Sequence, residues 1–107
     1  IINDYTGASF EFKVQEQYRN MKEVLDSYPE VSIYAREAIE RAGLAVIERS
    51  ARGGTDGSRL SFMGLPCPNI FAGGLNFHGR YEFAPVPNIE KAMMVVVKIA
   101  ELTAKRY

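Results

Sequence analysis

The stretch from Ala51 to Glu82, ARGGTDGSRLSFMGLPCPNIFAGGLNFHGRYE, constrains this chain more than any other. It carries two Gly-Gly turns together with the chain's one histidine, His78, and its one cysteine, Cys67. A carboxylate, hydroxyls and arginines crowd the same segment. The flanking sequence reads as the means of placing these residues along one edge of a sheet.

Three segments around it have strand patterns. Phe10, Phe12 and Val14 alternate with Glu11, Lys13 and Gln15, and a period of two marks a strand with one buried face. Leu44 to Ile47 is a short apolar run, and Pro66 to Phe71 is another, its prolines kept to the first residues. The remaining patterns are helical. Ser27-Tyr28-Pro29-Glu30 resembles a helix start with proline in the first turn, after which Val31, Tyr34, Ala35, Ala38, Ile39 and Ala42 share one face up to Gly43. Thr55 or Asp56 caps a short helix ending at Gly64. Asn88 is the expected cap of a last helix whose buried face is Ile89, Ala92, Met93, Val96, Ala100 and Thr103, with Glu101 and Lys105 as an exposed pair. Strand, helix, strand, helix with short connections predicts an α/β fold, a βαβα unit with parallel strands.

Ligands of parallel α/β sheets bind beyond the carboxyl ends of the strands. Arg52-Gly53-Gly54-Thr55 follows one expected strand and Ala72-Gly73-Gly74 the next, so both turns are expected at the same edge, with His78, Arg80 and Glu82 close by. Glycines that admit a close backbone approach, a helix start and a neighbouring arginine together suit an anion: a carboxylate, a phosphate or a developing oxyanion. The plainer reading of that turn is a helix start that needs glycine for its angles. His78 is either a metal ligand or an ordinary loop or core histidine, since no Cys, His or Asp stands at ligand spacing. Asp56 suits a helix first turn, and Cys67 suits inert packing.

Composition narrows the function classes. The 107 residues bound the chain to one domain at most, and 47% hydrophobic with 24% charged residues suits a soluble globular fold. Thirteen basic and thirteen acidic residues cancel, leaving no positive field for a phosphate backbone, so nucleic acid is not an expected partner. The longest apolar run, Ala92 to Val97, is too short for a bilayer. One cysteine makes no internal disulfide, and IINDYTGASF lacks the basic and apolar regions of a signal peptide, so a cytoplasmic location is expected. The chain opens at Ile1 instead of methionine, which accommodates trimming or a piece of something longer.

Tyr18-Arg19-Asn20-Met21, Arg52 to Gly57, Leu60 to Asn69, the Gly73-Gly74-x-Asn76-Phe77-His78-Gly79 run, Glu90-Lys91-Ala92 and Lys98 to Thr103 together resemble the di-zinc aminoacylase/carboxypeptidase-type metallopeptidases, specifically their tripeptide aminopeptidases. The resemblance covers nearly the whole chain but only the C-terminal quarter or so of such an enzyme. It implies that residues 1–18 end a lid, dimerisation-type domain and that residues 19–107 are the C-terminal part of the catalytic domain. It further implies that His78 is the last zinc ligand, and that Arg52 holds the substrate's carboxylate end beside a substrate-facing turn of Gly53, Gly54 and Thr55. The family's His-x-Asp motif, bridging aspartate, Glu-Glu pair and further aspartate ligand have no counterpart here. An enzyme with two zinc ions that acts on small peptides is thus implied for the parent, and an inactive chain with weak or absent zinc for the 107 residues alone. The alternatives are a stand-alone anion-binding α/β module and a homodimer formed through the N-terminal strand.

Overall fold

A computed structural model describes residues 4–51 and 53–106. Four helices follow one another along the chain: α1 (Lys22–Leu25), α2 (Pro29–Arg41), α3 (Asp56–Phe62) and α4 (Val86–Ala104). Helix α2 begins at Pro29, whose fixed φ suits the first turn, and its last turn carries Arg41, paired with Glu37 one turn back. Its end is set by Gly43 at φ +76°. There Leu44 N–H donates to Ile39 O (3.1 Å) and Gly43 N–H to Glu40 O (2.9 Å), so two otherwise orphaned carbonyls are satisfied. Helix α3 ends in the same way at Gly64, through Leu65 N–H to Leu60 O and Gly64 N–H to Ser61 O.

The core lies between α2 and α4. Ala38, Val95 and Leu102 are buried there, with Tyr34, Ile39, Ala42, Leu44, Ile70 and Ile99 packed around them. Burying a side chain the size of Leu102 is worth about 1.5–3 kcal/mol, so this seam is the main apolar stabilisation of the helical layer.

The expected βαβα sheet does not form. Among the described residues the β pairing is a single antiparallel bridge, Leu75 with Phe83. A strand exists only when a neighbour about 4.8 Å away takes up its N–H and C=O groups, and no such neighbour flanks the three strand-like segments. The alternation itself is real: Leu44 and Val46 are half-buried while Ala45 and Ile47 are exposed. The pattern therefore reports a face laid on the helices, without pairing. The N-terminal segment is neither paired nor covered, with Phe10, Phe12 and Val14 exposed at 70%, 79% and 79%.

Helix α4 also departs from expectation. It starts at Val86 with Pro85 as its cap residue, and the Asn88 side chain reaches back to Gly73 O (3.3 Å) instead of capping. The face turned to α2 is Val95, Ile99 and Leu102, whereas Ile89, Met93 and Val96 of the expected face are exposed. Both faces are apolar, so periodicity alone does not choose between them. Glu101 accepts from Lys98 (2.9 Å), a bond that holds its carboxyl below the usual range; Lys105 contributes only through its charge.

The molecule is open. Its radius of gyration is 19.4 Å, against about 13 Å for a compact domain of this length. Its accessible surface is 9023 Å², where a folded monomer of this mass exposes about 6,000 Å². No helix among the described residues is long and apolar enough to cross a membrane.

Candidate functional site

The turn at Gly53–Thr55 is held by short polar side chains. Thr55, extended at φ −130° and ψ 156°, caps α3: its Oγ1 accepts from Ser58 N–H (3.2 Å) and from Asn69 Nδ2 (3.1 Å). Ser61 Oγ donates to Gly57 O (2.7 Å) and accepts from Cys67 N–H (3.0 Å). Ser58 Oγ donates to the carbonyl of Arg19 on the other side. Gly57 lets these partners close up, since a Cβ there would lie 2.7 Å from both Asn69 Oδ1 and the Cys67 carbonyl. Helix α3 is thereby fastened to residues 67–69 on one flank and to Arg19 on the other. The Arg19 guanidinium adds a cation–π contact, 4.7 Å from the centre of the Phe62 ring.

Gly54 needs to be glycine for a reason other than ligand approach. The Tyr18 ring occupies the place of a side chain there, with Cγ 1.9 Å from where a Cβ would sit. Gly53 is exposed, and Arg52 lies outside the described residues. Asp56 is exposed in the first turn of α3, as its helix-start reading requires, and Cys67 is half-buried.

His78 belongs to a separate closed loop. The bridge between Leu75 and Phe83 (N–H to O, 2.8 and 3.2 Å) shuts its base, and Gly79 N–H to Asn76 O (2.9 Å) and Glu82 N–H to Gly79 O (3.1 Å) tighten its tip. Asn76 and His78 both take left-handed backbone angles, φ +55° and +63°. Such angles cost a non-glycine residue about 1–2 kcal/mol, less for asparagine, whose short amide bonds locally. Here Asn76 Nδ2 donates to Tyr81 O (3.4 Å), and Glu82 Oε2 accepts from the His78 backbone N–H (3.3 Å). The imidazole is thus displayed at the surface on a backbone whose shape histidine does not favour. Arg80 lies over the Tyr81 ring at 5.2 Å, and Asn88 ties the loop's root to α4 through Gly73.

A trough of about 990 Å³ opens beside α2. Gly53, Gly54 and Thr55 line it with Tyr18, Asn69 and Arg49; His78 is not among its lining residues. At its rim Arg36 donates to Glu48, tying the 44–48 stretch to α2. That hydrogen bond, reinforced by charge, holds the Glu48 carboxyl below its usual range and raises Arg36. The expectation that both Gly-Gly turns share a sheet edge loses its premise, because no sheet joins the stretches that precede them.

For zinc, the donor set falls short. Among the described residues no three His, Cys, Asp or Glu side chains converge, so His78 belongs to no such group among them. A closed zinc site takes four ligands and a catalytic one three.

Several contacts went unread in the sequence: Tyr18 on Gly54, Asn69 on Thr55, Arg36 on Glu48. A signal for the second exists. Thr55, Ser58 and Ser61 recur every third residue around Gly57, a stripe of small polar groups that suits close backbone approach.

No protein-family model matches the chain. Curated relatives do. A protein from Parabacteroides distasonis named Peptidase T is 56% identical over 105 residues, 98% of this chain and 26% of its own length. This chain is homologous to peptidase T. The Peptidase T of Vibrio parahaemolyticus is 52% identical over 100 residues, and that of Clostridium botulinum strain Kyoto 58% identical over 106. The chain spans about a quarter of the length of these peptidase T relatives.

Proposed function

We propose that this chain is the C-terminal part of a peptidase T-like, zinc-dependent aminopeptidase that releases N-terminal residues from tripeptides and similar small peptides in the cytoplasm. The observation that carries this reading is 52–58% identity to proteins named Peptidase T along nearly the whole chain. On this reading residues 1–18 close a lid domain and residues 19–107 finish the catalytic domain. Arg52 binds the peptide's terminal carboxylate as a paired guanidinium, and Gly53, Gly54 and Thr55 form the wall beside it. Two features support the turn assignment: Thr55 is fixed by two hydrogen bonds, and the turn lines an open trough. His78 contributes one zinc ligand, and its left-handed, surface-displayed backbone supports that role, because strained geometry of this kind clusters at functional sites.

When bound, zinc would polarise a peptide carbonyl and lower the pKa of water. The described residues do not complete its site, and no step of hydrolysis is assigned to this chain. The 107 residues alone therefore cleave nothing. Purified chain incubated with zinc and a tripeptide should show no free amino acid and less than one zinc per chain by elemental analysis. Turnover together with stoichiometric zinc would overturn the inactivity.

A further inference from the structure

The two glycines of the Gly53–Thr55 turn are glycines for different reasons. Gly53 sits at φ +80° and needs glycine for its backbone angle, whereas Gly54 is not at positive φ. What a side chain at residue 54 would meet is Tyr18, whose Cγ lies 1.9 Å and whose two Cδ atoms lie 2.2 Å from an ideal Cβ. The aromatic ring therefore rests directly on the Gly54 backbone. Among the described residues no hydrogen bond holds Gly53 or Gly54, and none holds the Tyr18 hydroxyl. Packing by the ring is what fixes this half of the turn; the bonds to Thr55 Oγ1 act one residue further on. Without the ring, two adjacent glycines, the most permissive of residues, would be left unpinned.

The ring is itself held in place through its neighbour. The Arg19 carbonyl accepts from Ser58 Oγ, while the Arg19 guanidinium lies 4.7 Å from the centre of the Phe62 ring and pairs with Glu23 at 2.6 Å. Among the described residues, 9–17 make no backbone hydrogen bond, so Tyr18 and Arg19 are where the N-terminal segment is fastened to α3 and its turn. Tyr18 is 45% exposed and lines the same trough as Gly53, Gly54 and Thr55. We infer that Tyr18 is a positioning residue for the bound peptide: its ring pins the Gly53–Thr55 turn in the shape that walls the trough. A peptide lying along that wall then meets a turn already ordered, and ordering done in advance is affinity gained on binding. This inference rests on the peptidase T reading.

The test uses the full-length Parabacteroides distasonis relative with the 105 matched residues exchanged for those of this chain. Tyr18→Ala should raise KM for a tripeptide by about fivefold or more with kcat within about twofold, the mark of lost binding without lost chemistry. It should also speed amide exchange over residues 53–59 and leave α4 unaffected. Tyr18→Phe, which keeps the ring, should rescue both. Gly54→Ala should raise KM as well, because its Cβ meets the ring, and adding Tyr18→Ala to it should bring no further rise. An unmoved KM, a fall in kcat instead, a phenylalanine variant as impaired as the alanine one, or two single effects that add in the double variant would each overturn the inference. The peptidase reading fails on a different result, an unsubstituted chimera that folds but hydrolyses no tripeptide. In that event exchange over residues 53–59 alone decides whether Tyr18 pins the turn.

Discussion

Replacing Gly57 by alanine sets two opposed effects against each other at one atom. In an open helix, glycine to alanine is stabilising by about 0.8–1 kcal/mol, because alanine gives up less backbone freedom. At residue 57 the new Cβ would lie 2.7 Å from the Cys67 carbonyl and 2.7 Å from Asn69 Oδ1. The amide of Asn69 swings away cheaply; the carbonyl is backbone and moves only if residues 67–69 move. That displacement pulls on Cys67 N–H to Ser61 Oγ and on Asn69 to Thr55, bonds worth about 0.5–1.5 kcal/mol each. Overpacking adds about 1–3 kcal/mol. The balance is a net loss of about 1–5 kcal/mol, local to α3. Amide exchange measured peptide by peptide should show faster exchange over residues 56–63 and 67–69, by about fivefold for each 1 kcal/mol, with α4 unaffected. Slower exchange in α3 would mean that helix propensity wins and that the packing of residues 67–69 on Gly57 contributes little.

Other perturbations separate other parts of the structure. Leu102→Ala should cost about 2–5 kcal/mol by thermal or urea unfolding, since it empties one side of the α2–α4 seam. Gly43→Ala forces alanine to φ +76° and should cost about 1–2 kcal/mol, visible as fraying of the last turn of α2. Glu48 has a depressed carboxyl pKa, so its contribution is present above the ordinary value of 4.5 and is lost as pH falls through the lower folded value. Amides of residues 44–48 should lose protection in that acidic window, and Glu48→Gln should remove the pH dependence. His78→Gly should relax the 75–83 loop and raise protection of the Gly79 and Glu82 amides.

The helices were legible because their signals are local. Pro29, Gly43, Thr55 and Gly64 act within a turn of where they stand, and each occupies the boundary its chemistry suggests. Even the misassigned strands carried correct information of a narrower kind: alternation at Leu44–Ile47 matches which side chains lie on the helices. What periodicity does not encode is the identity of the hydrogen-bonding neighbour, and a sheet is nothing without one. The two-faced helix α4 failed in the same way. Its sequence states that two faces want cover, yet not which face α2 takes. The site residues divide along this line too. Thr55 was readable from its cap position, whereas Tyr18 against Gly54 joins residues far apart in sequence with no periodic trace.

These failures share a cause that bears on function. Each misread segment, residues 10–14, 44–47, 69–71 and the outer face of α4, carries apolar or backbone groups that find no partner among the described residues, and His78 belongs to no cluster of three metal-ligating side chains among them. In a self-contained domain such deficits would be scattered and small, because marginal stability of about 5–15 kcal/mol tolerates few of them. Here they recur at several separate places in the molecule. The matched relatives are about four times as long, and on the proposed reading the rest of such a polypeptide would offer partners for all of them. The excess surface and the solitary histidine are then the same observation, made once in packing and once in chemistry.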